Sequence, residues 1–280
     1  MITYAQSIIL GLLQGIAELF PISSLGHTVL LPVLLHWNLD QSSDQFVAFV
    51  ILTHLATALV LLAFFWSDWM KIVIGMLRSL KERRIRSDDT YAKLGWLIVV
   101  STVPAGILGI LFEQRLKELF AIASVVSIAL ILNGVVLYIA ELLRKKAPEG
   151  IHDDTAIAAL TWKQAVVVGI FQCGALIPGF SRTGLTMTGG LMNGLSHENA
   201  ARYSFLLATP IIFAAAVLKV PELFTGSGDS ILGQAVVGAL CAALSAYFSI
   251  RFLTKYFETK TLTPFAIYCV LVGVVSLFLI

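Results

Sequence analysis

The sequence predicts an all-α integral membrane protein with six transmembrane helices and two re-entrant broken-helix hairpins, arranged as an inverted-topology repeat. The first observation is composition: 58% of the 280 residues are hydrophobic and 13% are charged, about half the charged fraction of soluble domains. The second is that several apolar stretches reach the roughly 20 residues needed to cross a bilayer. The third is an internal repeat of one unusual segment. The net charge of +2 is too small to indicate nucleic-acid binding.

Apolar length and helix breakers define six spans within a single membrane domain. The spans lie at about 44–66, 91–112, 118–144, 199–221, 229–251 and 262–280. The charged segment 67–90 is expected to be a loop. A soluble helical core would instead show amphipathic stripes along its helices, and few are apparent.

Two further apolar regions are interrupted by helix breakers. Residues 3–36 are broken at Pro21-Ile22-Ser23-Ser24 and residues 162–194 at Pro178-Gly179-Phe180-Ser181. Each region is predicted to form two half-helices joined by a non-helical kink. Such backbone occurs at membrane depth only when it is buried in protein or lines a wet cavity.

The two broken regions resemble each other at a fixed offset. GLLQGIAELFPISSLGHT (11–28) and GIFQCGALIPGFSRTGLT (169–186) share six identities in 18 positions, 158 residues apart. Chance similarity in Gly/Ala-rich sequence is the alternative, but LAT at 55–57 recurs at 207–209, in the same order. This favours a duplication, with repeat 1 at about 1–146 and repeat 2 at about 160–280. Because each half has an odd number of crossings, the second is predicted to be inverted.

The lysines and arginines predict the orientation. Segments 67–90, 144–163 and 251–260 carry 13 of them, whereas the opposite face carries only Arg115, Lys117 and Lys219. Basic loops stay in the cytoplasm. Both termini and the opening of the first hairpin are therefore predicted to be extracytoplasmic.

Three ionisable residues lie in the broken regions: Glu18, His27 and Arg182. An ionisable group at membrane depth costs about 3 kcal/mol or more unless it is paired or wet, so it indicates function by default. The alternative for Glu18 is a structural ion pair with Arg182 that ties the hairpins together. The remaining histidines have no comparable sequence context; they are His36, His54, His152 and His197.

The residues after each break predict an anion site. Ser23 and Ser24 in the first break, and Ser181 and Thr183 in the second, are typical N-caps of a following half-helix. In an inverted repeat the two N-termini would converge, and their free N–H groups would join Arg182 in binding phosphate oxygens. Nearby glycines would allow close approach or only pack helices; they are Gly26, Gly179 and Gly184.

A carboxylate beside a phosphate site is repulsive unless it holds a metal ion or acts as a base. Glu18 together with Ser24 and His27 suggests a nucleophile with proton carriers. The residues leave open whether Ser24 or His27 attacks.

The motifs now become specific in combination. Gln14 and Glu18, the run Pro21–His27 and the run Pro178–Thr186 resemble the undecaprenyl-diphosphate phosphatase family of the bacitracin-resistance type. SFLLATP at 204–210 and PFAIY at 264–268 also resemble family segments, so the likeness spans the chain. Leu25 stands where the family has a threonine and Thr183 where it has a serine.

The resemblance implies a multi-pass enzyme of the bacterial inner membrane. It would remove the terminal phosphate of undecaprenyl diphosphate, recycle the lipid carrier of peptidoglycan synthesis and confer bacitracin resistance. It also implies a divalent cation, Mg²⁺ or Ca²⁺, held by Glu18 with Gln14 as a weaker ligand. Glu18, Ser24, His27 and Arg182 would be catalytic. The phosphate-binding residues would be Ser23, Gly26, Ser181, Thr183, Gly184 and Thr186.

The expected partners are a polyprenyl diphosphate lipid and the membrane, and a homodimer is allowed. A second hypothesis is an inverted-repeat transporter or flippase of a phosphorylated lipid or anion, which suits the architecture equally well. The Glu–Ser–His cluster favours the enzyme, because a carrier must release its anion intact. A purely structural subunit leaves the buried charges unexplained.

Overall fold

The structure, a computed structural model, describes residues 2–41, 43–112, 115, 122–144, 154–223 and 231–280. Within these ranges the chain forms twelve α-helices and no strand. In chain order they are α1 (Tyr4–Ala17), α2 (Ser24–Leu34), α3 (Asp44–Phe64), α4 (Trp66–Glu82), α5 (Thr90–Leu111), α6 (Ala123–Leu143), α7 (Asp154–Ala158), α8 (Trp162–Gly174), α9 (Arg182–Met192), α10 (His197–Leu223), α11 (Leu232–Tyr256) and α12 (Thr263–Leu279).

Five of the described helices are long and apolar enough to cross a membrane: α3, α5, α6, α10 and α11. The segment 262–280, expected to be a sixth span, corresponds to α12, which is apolar but has only 17 residues. The predicted starts of two spans, at 118 and 229, lie outside the described residues. The chain is thus an all-α, multi-pass membrane protein.

The segment 67–90 was expected to be a loop, and this expectation is wrong for most of its length. Residues Trp66–Glu82 form α4, whose buried face, which includes Ile72 and Gly75, packs on α5. A Cβ on Gly75 would lie 2.7 Å from the backbone nitrogen of Ala92, so the two helices are in close contact. The segment's charges rule out a span, but its apolar residues recur at helical spacing and form an amphipathic helix.

The two broken regions begin and restart with the same caps. Thr3 with Gln6, and Thr161 with Gln164, form reciprocal capping boxes at the starts of α1 and α8. These residues also lie 158 positions apart. After each break, a serine accepts the N–H of a glycine three residues later: Ser23 from Gly26 at 3.1 Å, and Ser181 from Gly184 at 3.1 Å.

Close glycine contacts hold the long helices around the breaks. A Cβ on Gly11 of α1 would lie 2.3 Å from the carbonyl oxygen of Gly238 in α11. A Cβ on Gly169 of α8 would lie 2.8 Å from the Ser101 oxygen in α5. α6 packs on α12, and α3 on α10. Small residues allow such close helix packing in membranes, where apolar burial alone does not drive association.

Candidate active site

Glu18 lies at the centre of a network of hydrogen bonds and ion pairs at the first break. It is the C-cap of α1 and is 7% exposed. Its Oε1 atom is 2.9 Å from Arg182 Nη2. Its Oε2 atom accepts from Ser24 Oγ at 2.5 Å and from Gln14 Nε2 at 3.2 Å. The structure therefore brings three of the predicted catalytic residues, Glu18, Ser24 and Arg182, into direct contact.

The backbone around the two breaks is joined by side chains. Asn133 of α6 donates from Nδ2 to the Pro21 oxygen at 3.1 Å and accepts the Ser181 N–H on Oδ1 at 3.0 Å. Thr183 Oγ1 donates to the backbone oxygen of Glu18 at 3.0 Å. Buried backbone groups need such partners, and here the partners cross from one break to the other.

The breaks also pack directly on each other through glycine. A Cβ added to Gly26 would lie 3.3 Å from the Cα atom of Gly179, and one added to Gly184 would lie 3.3 Å from Pro21 Cβ. Gly179 has φ +104°, a conformation that favours glycine, and its own Cβ would lie 2.4 Å from the Val126 oxygen. Gly26 and Gly184, predicted to bind phosphate, therefore lie where the two breaks pack together.

Ser24 and Arg182 hold equivalent positions, each the first residue of the half-helix that follows its break. The residue before Ser24 is strained: Ser23 has φ +70° and ψ 100°, a conformation that costs about 1–3 kcal/mol in a non-glycine residue. At this position both side chains lie beside the first N–H groups of a helix, which have no intrahelical acceptor.

Arg182 is held by both halves of the chain. Besides Glu18, its guanidinium donates from Nη1 to the Ser204 carbonyl oxygen in α10 at 3.3 Å. Thr186 Oγ1, of a predicted phosphate-binding residue, bonds Ser204 Oγ at 2.6 Å and so supports the serine beside Arg182. A guanidinium has five N–H donors, so further donors remain for a ligand.

His27 does not join this network. Its Nδ1 lies 2.6 Å from the Ser23 oxygen and its Nε2 lies 2.8 Å from the Tyr268 hydroxyl, with the two rings stacked at 5.6 Å. Because a carbonyl oxygen only accepts, Nδ1 carries a hydrogen, and in the neutral ring Nε2 accepts from the tyrosine. His27 therefore supports the strained backbone at Ser23 through this hydrogen bond.

His54, which has no distinctive sequence context, is also a residue of this site. Its Nε2 lies 3.2 Å from Glu18 Oε2, and its Nδ1 lies 2.8 Å from the Val50 oxygen. Nδ1 must donate to that carbonyl, so Nε2 donates to the carboxylate when the ring is protonated. The available signal was a histidine inside an apolar span, the same signal that selected Glu18.

A cavity of about 210 Å³ opens onto these groups. Its polar lining consists of Glu18, Ser23, Ser24, His54, Gln172, Ser181 and Arg182. The rest of its wall is apolar and includes Val50 and Ile51 of α3, Ala105 of α5, Leu176 of the second break, and Ile211 and Ile212 of α10. His27 does not line it. A site with one polar end and an apolar wall suits an amphipathic ligand.

The side chains around Glu18 offer few ligands for a resident Mg²⁺ or Ca²⁺ ion. Within the described ranges, no three His, Cys, Asp or Glu side chains gather as metal ligands. Arg182 and Ser24 already occupy both carboxylate oxygens, and Gln14 turns its N–H₂ group toward Glu18. These ions take about six or more oxygen ligands, far more than this one carboxylate offers.

Sequence comparison identifies the family. The family described as "Bacitracin resistance protein BacA" matches residues 7–275, which include both breaks. The chain belongs to this family. The predicted resemblance is therefore confirmed.

Named relatives of the BacA family align over nearly the whole chain. The undecaprenyl-diphosphatase of Mycolicibacterium paratuberculosis is 46% identical over 297 aligned residues, covering 99% of this chain and 97% of the relative. Undecaprenyl-diphosphatase 2 of Frankia alni is 41% identical over 332 residues, covering 97% and 96%. Undecaprenyl-diphosphatase 2 of Burkholderia ambifaria is 44% identical over 272 residues, covering 95% and 93%.

Proposed function

We propose that the chain hydrolyses undecaprenyl diphosphate to undecaprenyl phosphate and inorganic phosphate, and so recycles the lipid carrier and confers bacitracin resistance. The observation that carries this proposal is the contact between Ser24 Oγ and Glu18 Oε2 beside the Arg182 guanidinium, at the polar end of an apolar-walled cavity. The names of the relatives support it. They do not favour the transporter or flippase hypothesis.

The two ends of the cavity suit the two parts of this substrate. Arg182 and the first N–H groups of α2 and α9 would bind the diphosphate oxygens, because guanidinium donors and helix N-termini both favour phosphate. Ser23 and Ser181 line the same end. The apolar walls would hold the first isoprene units, and the remainder of the chain would extend into lipid.

Ser24 is the proposed nucleophile. Its Oγ–H already donates to Glu18 Oε2 at 2.5 Å, so the carboxylate can take the proton as Oγ attacks the terminal phosphorus. The Oγ–P bond forms as the bond from phosphorus to the bridging oxygen breaks, and undecaprenyl phosphate leaves. Water then attacks the phosphoserine, releasing phosphate and returning a proton to Oγ. Arg182 stabilises the charge on the transferring group.

His27 remains the alternative nucleophile, but its position is less suited to attack. Both of its ring nitrogens are bonded, to Ser23 and Tyr268, and it does not line the cavity. Its proposed role is to hold the backbone that positions Ser24.

The test uses purified full-length protein and a polyprenyl diphosphate. Phosphate release is expected, with an adduct that mass spectrometry maps to Ser24 under conditions that preserve phosphohistidine. Ser24→Ala should abolish both release and adduct, whereas Ser7→Ala, which removes a buried hydroxyl from α1, should retain activity. An adduct on His27 would contradict the serine mechanism, and absence of release from the unaltered protein would contradict the function.

The proposed cation arrives on the diphosphate rather than residing in the protein. Substrate oxygens would supply most of the ligands of Mg²⁺ or Ca²⁺, with Glu18 and Gln14 nearby. Mg²⁺ commonly binds enzymes in this way, through one or two carboxylates and the phosphates of the substrate.

We also propose the finer architecture: re-entrant hairpins at 3–36 and 162–194, and inverted repeats at about 1–146 and 160–280. The matched capping boxes and the paired packing of α1 on α11 and α8 on α5 support it. The distribution of basic residues supports extracytoplasmic termini and site opening. In intact cells, a cysteine at Asn38 should react with an impermeant thiol reagent, whereas one at Arg84 should not. The reverse result would contradict this orientation.

A further inference from the structure

α4 has two opposed faces. Its exposed face carries large apolar side chains, each between 43% and 61% exposed in the described part of the chain. They are Trp66, Met70, Val73, Ile74, Leu77 and Leu80, and their spacing of one, three and four residues places them on one stripe of the helix. The opposite face, with Ile72, Gly75 and Ser79, is buried.

The apolar stripe does not make α4 a transmembrane helix. α4 and α12 both have 17 residues. The sequence of α12 contains no charged residue, whereas α4 contains five: Asp68, Lys71, Arg78, Lys81 and Glu82. Charges at mid-membrane each cost about 3 kcal/mol, so a helix with a strong apolar stripe and this many charges belongs in the interface plane.

Exposed cations cluster where α4 ends. Arg78 pairs with Asp89 at 2.8 Å, and Arg86 pairs with Glu82. Lys81, Arg83 and Arg84 are exposed at the same end of the helix. Arg83 adopts φ +52° as the C-cap and turns the chain there. Favourable interaction with the helix dipole would explain one such cation, but the cluster beside an exposed apolar stripe matches an anionic lipid surface.

We propose that α4 lies in the membrane–water interface, with its apolar stripe among the acyl chains and Lys81, Arg83 and Arg84 on the phosphates of anionic phospholipids. This interaction surface is separate from the diphosphate site and does not depend on the proposed function. The occupant is the lipid leaflet, because charge complementarity and the apolar stripe are the two features that in-plane amphipathic helices use to bind membranes.

The first experiment measures lipid selectivity of the full-length protein. It would be reconstituted in phosphatidylcholine vesicles containing phosphatidylglycerol, and spin-labelled phosphatidylglycerol would report the immobilised lipid shell. The triple variant K81Q/R83Q/R84Q should lose selectivity by up to about fivefold per charge at low salt. The matched triple R251Q/K255Q/K260Q, which removes three exposed cations beyond α4, should retain it. Equal loss in both variants, or no loss in the first, would overturn the proposal.

The second experiment measures the depth of the stripe. In a background lacking Cys173, Cys241 and Cys269, a fluorophore on Leu77→Cys should be quenched by lipids that carry a nitroxide near the headgroup. A fluorophore on Ser87→Cys, which follows the helix, should be quenched by an aqueous quencher instead. These vesicles contain no other protein. Aqueous quenching at position 77 would therefore show that the stripe faces water, is free to bind another protein, and does not lie in lipid, which would overturn the proposal.

Discussion

The first break, residues 18–23, and the second break, residues 175–181, occupy matching places in the two halves of the chain. Both follow a helix that starts with a Thr–Gln capping box, and both end at a serine that caps the next half-helix. Their chemistry differs at three of the predicted catalytic positions. At the offset of 158, Glu18 corresponds to Leu176, Ser24 to Arg182 and His27 to Leu185.

This difference shows how a matched pair of backbones can form one asymmetric site. The first break and the residue after it supply the carboxylate of Glu18 and the hydroxyl of Ser24, and the residue after the second break supplies the guanidinium of Arg182. A phosphate site needs cationic and N–H donors, and hydrolysis also needs a base and a nucleophile beside them. Placing the two kinds of group on separate breaks allows both, with Asn133 holding the breaks together.

The largest expected effect tests whether the acidic group belongs to one break alone. Glu18→Gln should lower kcat/KM for polyprenyl diphosphate by about 10³-fold, because the amide cannot take the Ser24 proton. Leu176→Ala, at the corresponding position of the second break, should lower kcat/KM far less, because it trims the apolar wall and removes no proton acceptor. Phosphate-release kinetics provide the measurement, and comparable losses in both variants would contradict the division of roles.

The next effect concerns the cation of the second break. Arg182→Lys should lower kcat/KM by about 10²-fold, because an ammonium keeps the charge but loses the planar fork that binds phosphate oxygens. Arg202→Lys is the control: Arg202 pairs with Asp68 and Asp154, so its replacement should affect unfolding and leave turnover nearly unchanged. Wild-type turnover in Arg182→Lys would mean that charge alone suffices.

The link between the breaks should appear as stability. Asn133→Ala leaves the Pro21 oxygen and the Ser181 N–H buried without their partner, which should lower the free energy of unfolding by about 2 kcal/mol, roughly 30-fold in the equilibrium. Thermal unfolding in detergent measures it. The exposed Asn38→Ala should be neutral, and an equally stable Asn133→Ala would show that the breaks are held by packing alone.

A smaller effect is expected at His54. His54→Gln should lower kcat by about tenfold, because the amide can still bond Glu18 but carries no mobile proton. His54→Leu should lower it further, while His36→Gln, at an exposed position, should have no effect. The ordering of the two His54 variants is the informative result, since equal activities would reduce His54 to a space-filling residue.

The smallest effect concerns the proposed divalent metal ion. Gln14→Glu adds a carboxylate beside Glu18 and should lower the half-saturating Mg²⁺ or Ca²⁺ concentration a few-fold, since more anionic oxygens bind these ions more tightly. Gln172→Glu, its counterpart, should change that concentration less, because Gln172 bonds the Ser101 oxygen and has no hydrogen bond to Glu18. Titration of metal-depleted protein tests this pair. An unchanged requirement in Gln14→Glu would remove Gln14 from the cation's surroundings.

Short-range sequence features predicted the two breaks and several of the candidate site residues. Pro21, Pro178 and the serines after them are helix breakers and N-caps whose effect acts within a few residues. Glu18 and Arg182 stood out because ionisable groups are rare in apolar sequence. The family likeness rests on the same short motifs. The prediction of a loop at 67–90 was wrong because the charges exclude a transmembrane span but not a helix. The apolar residues of this segment recur at helical spacing.

Contacts between residues far apart in the sequence could not be predicted in this way. His54 lies 36 residues from Glu18, and Tyr268 lies 241 residues from His27. Helix breakers, caps and hydropathy act over a few residues, so they cannot predict contacts between residues this far apart in the sequence. In the sequence, Asn133 is one polar residue in an apolar helix. Its role depends on two hydrogen bonds, one to each break, which only the structure shows.

The sequence by itself determined that this chain is an all-α membrane protein of the BacA family, with two interrupted helices and an uneven distribution of ionisable groups between them. Hydropathy, helix breakers and caps act locally, so they can be read directly. Only the tertiary structure decided that Glu18 meets Ser24, His54 and Arg182, and that His27 faces Tyr268. Those contacts depend on how α3, α10 and α12 pack around the breaks, and packing is a property of the whole chain.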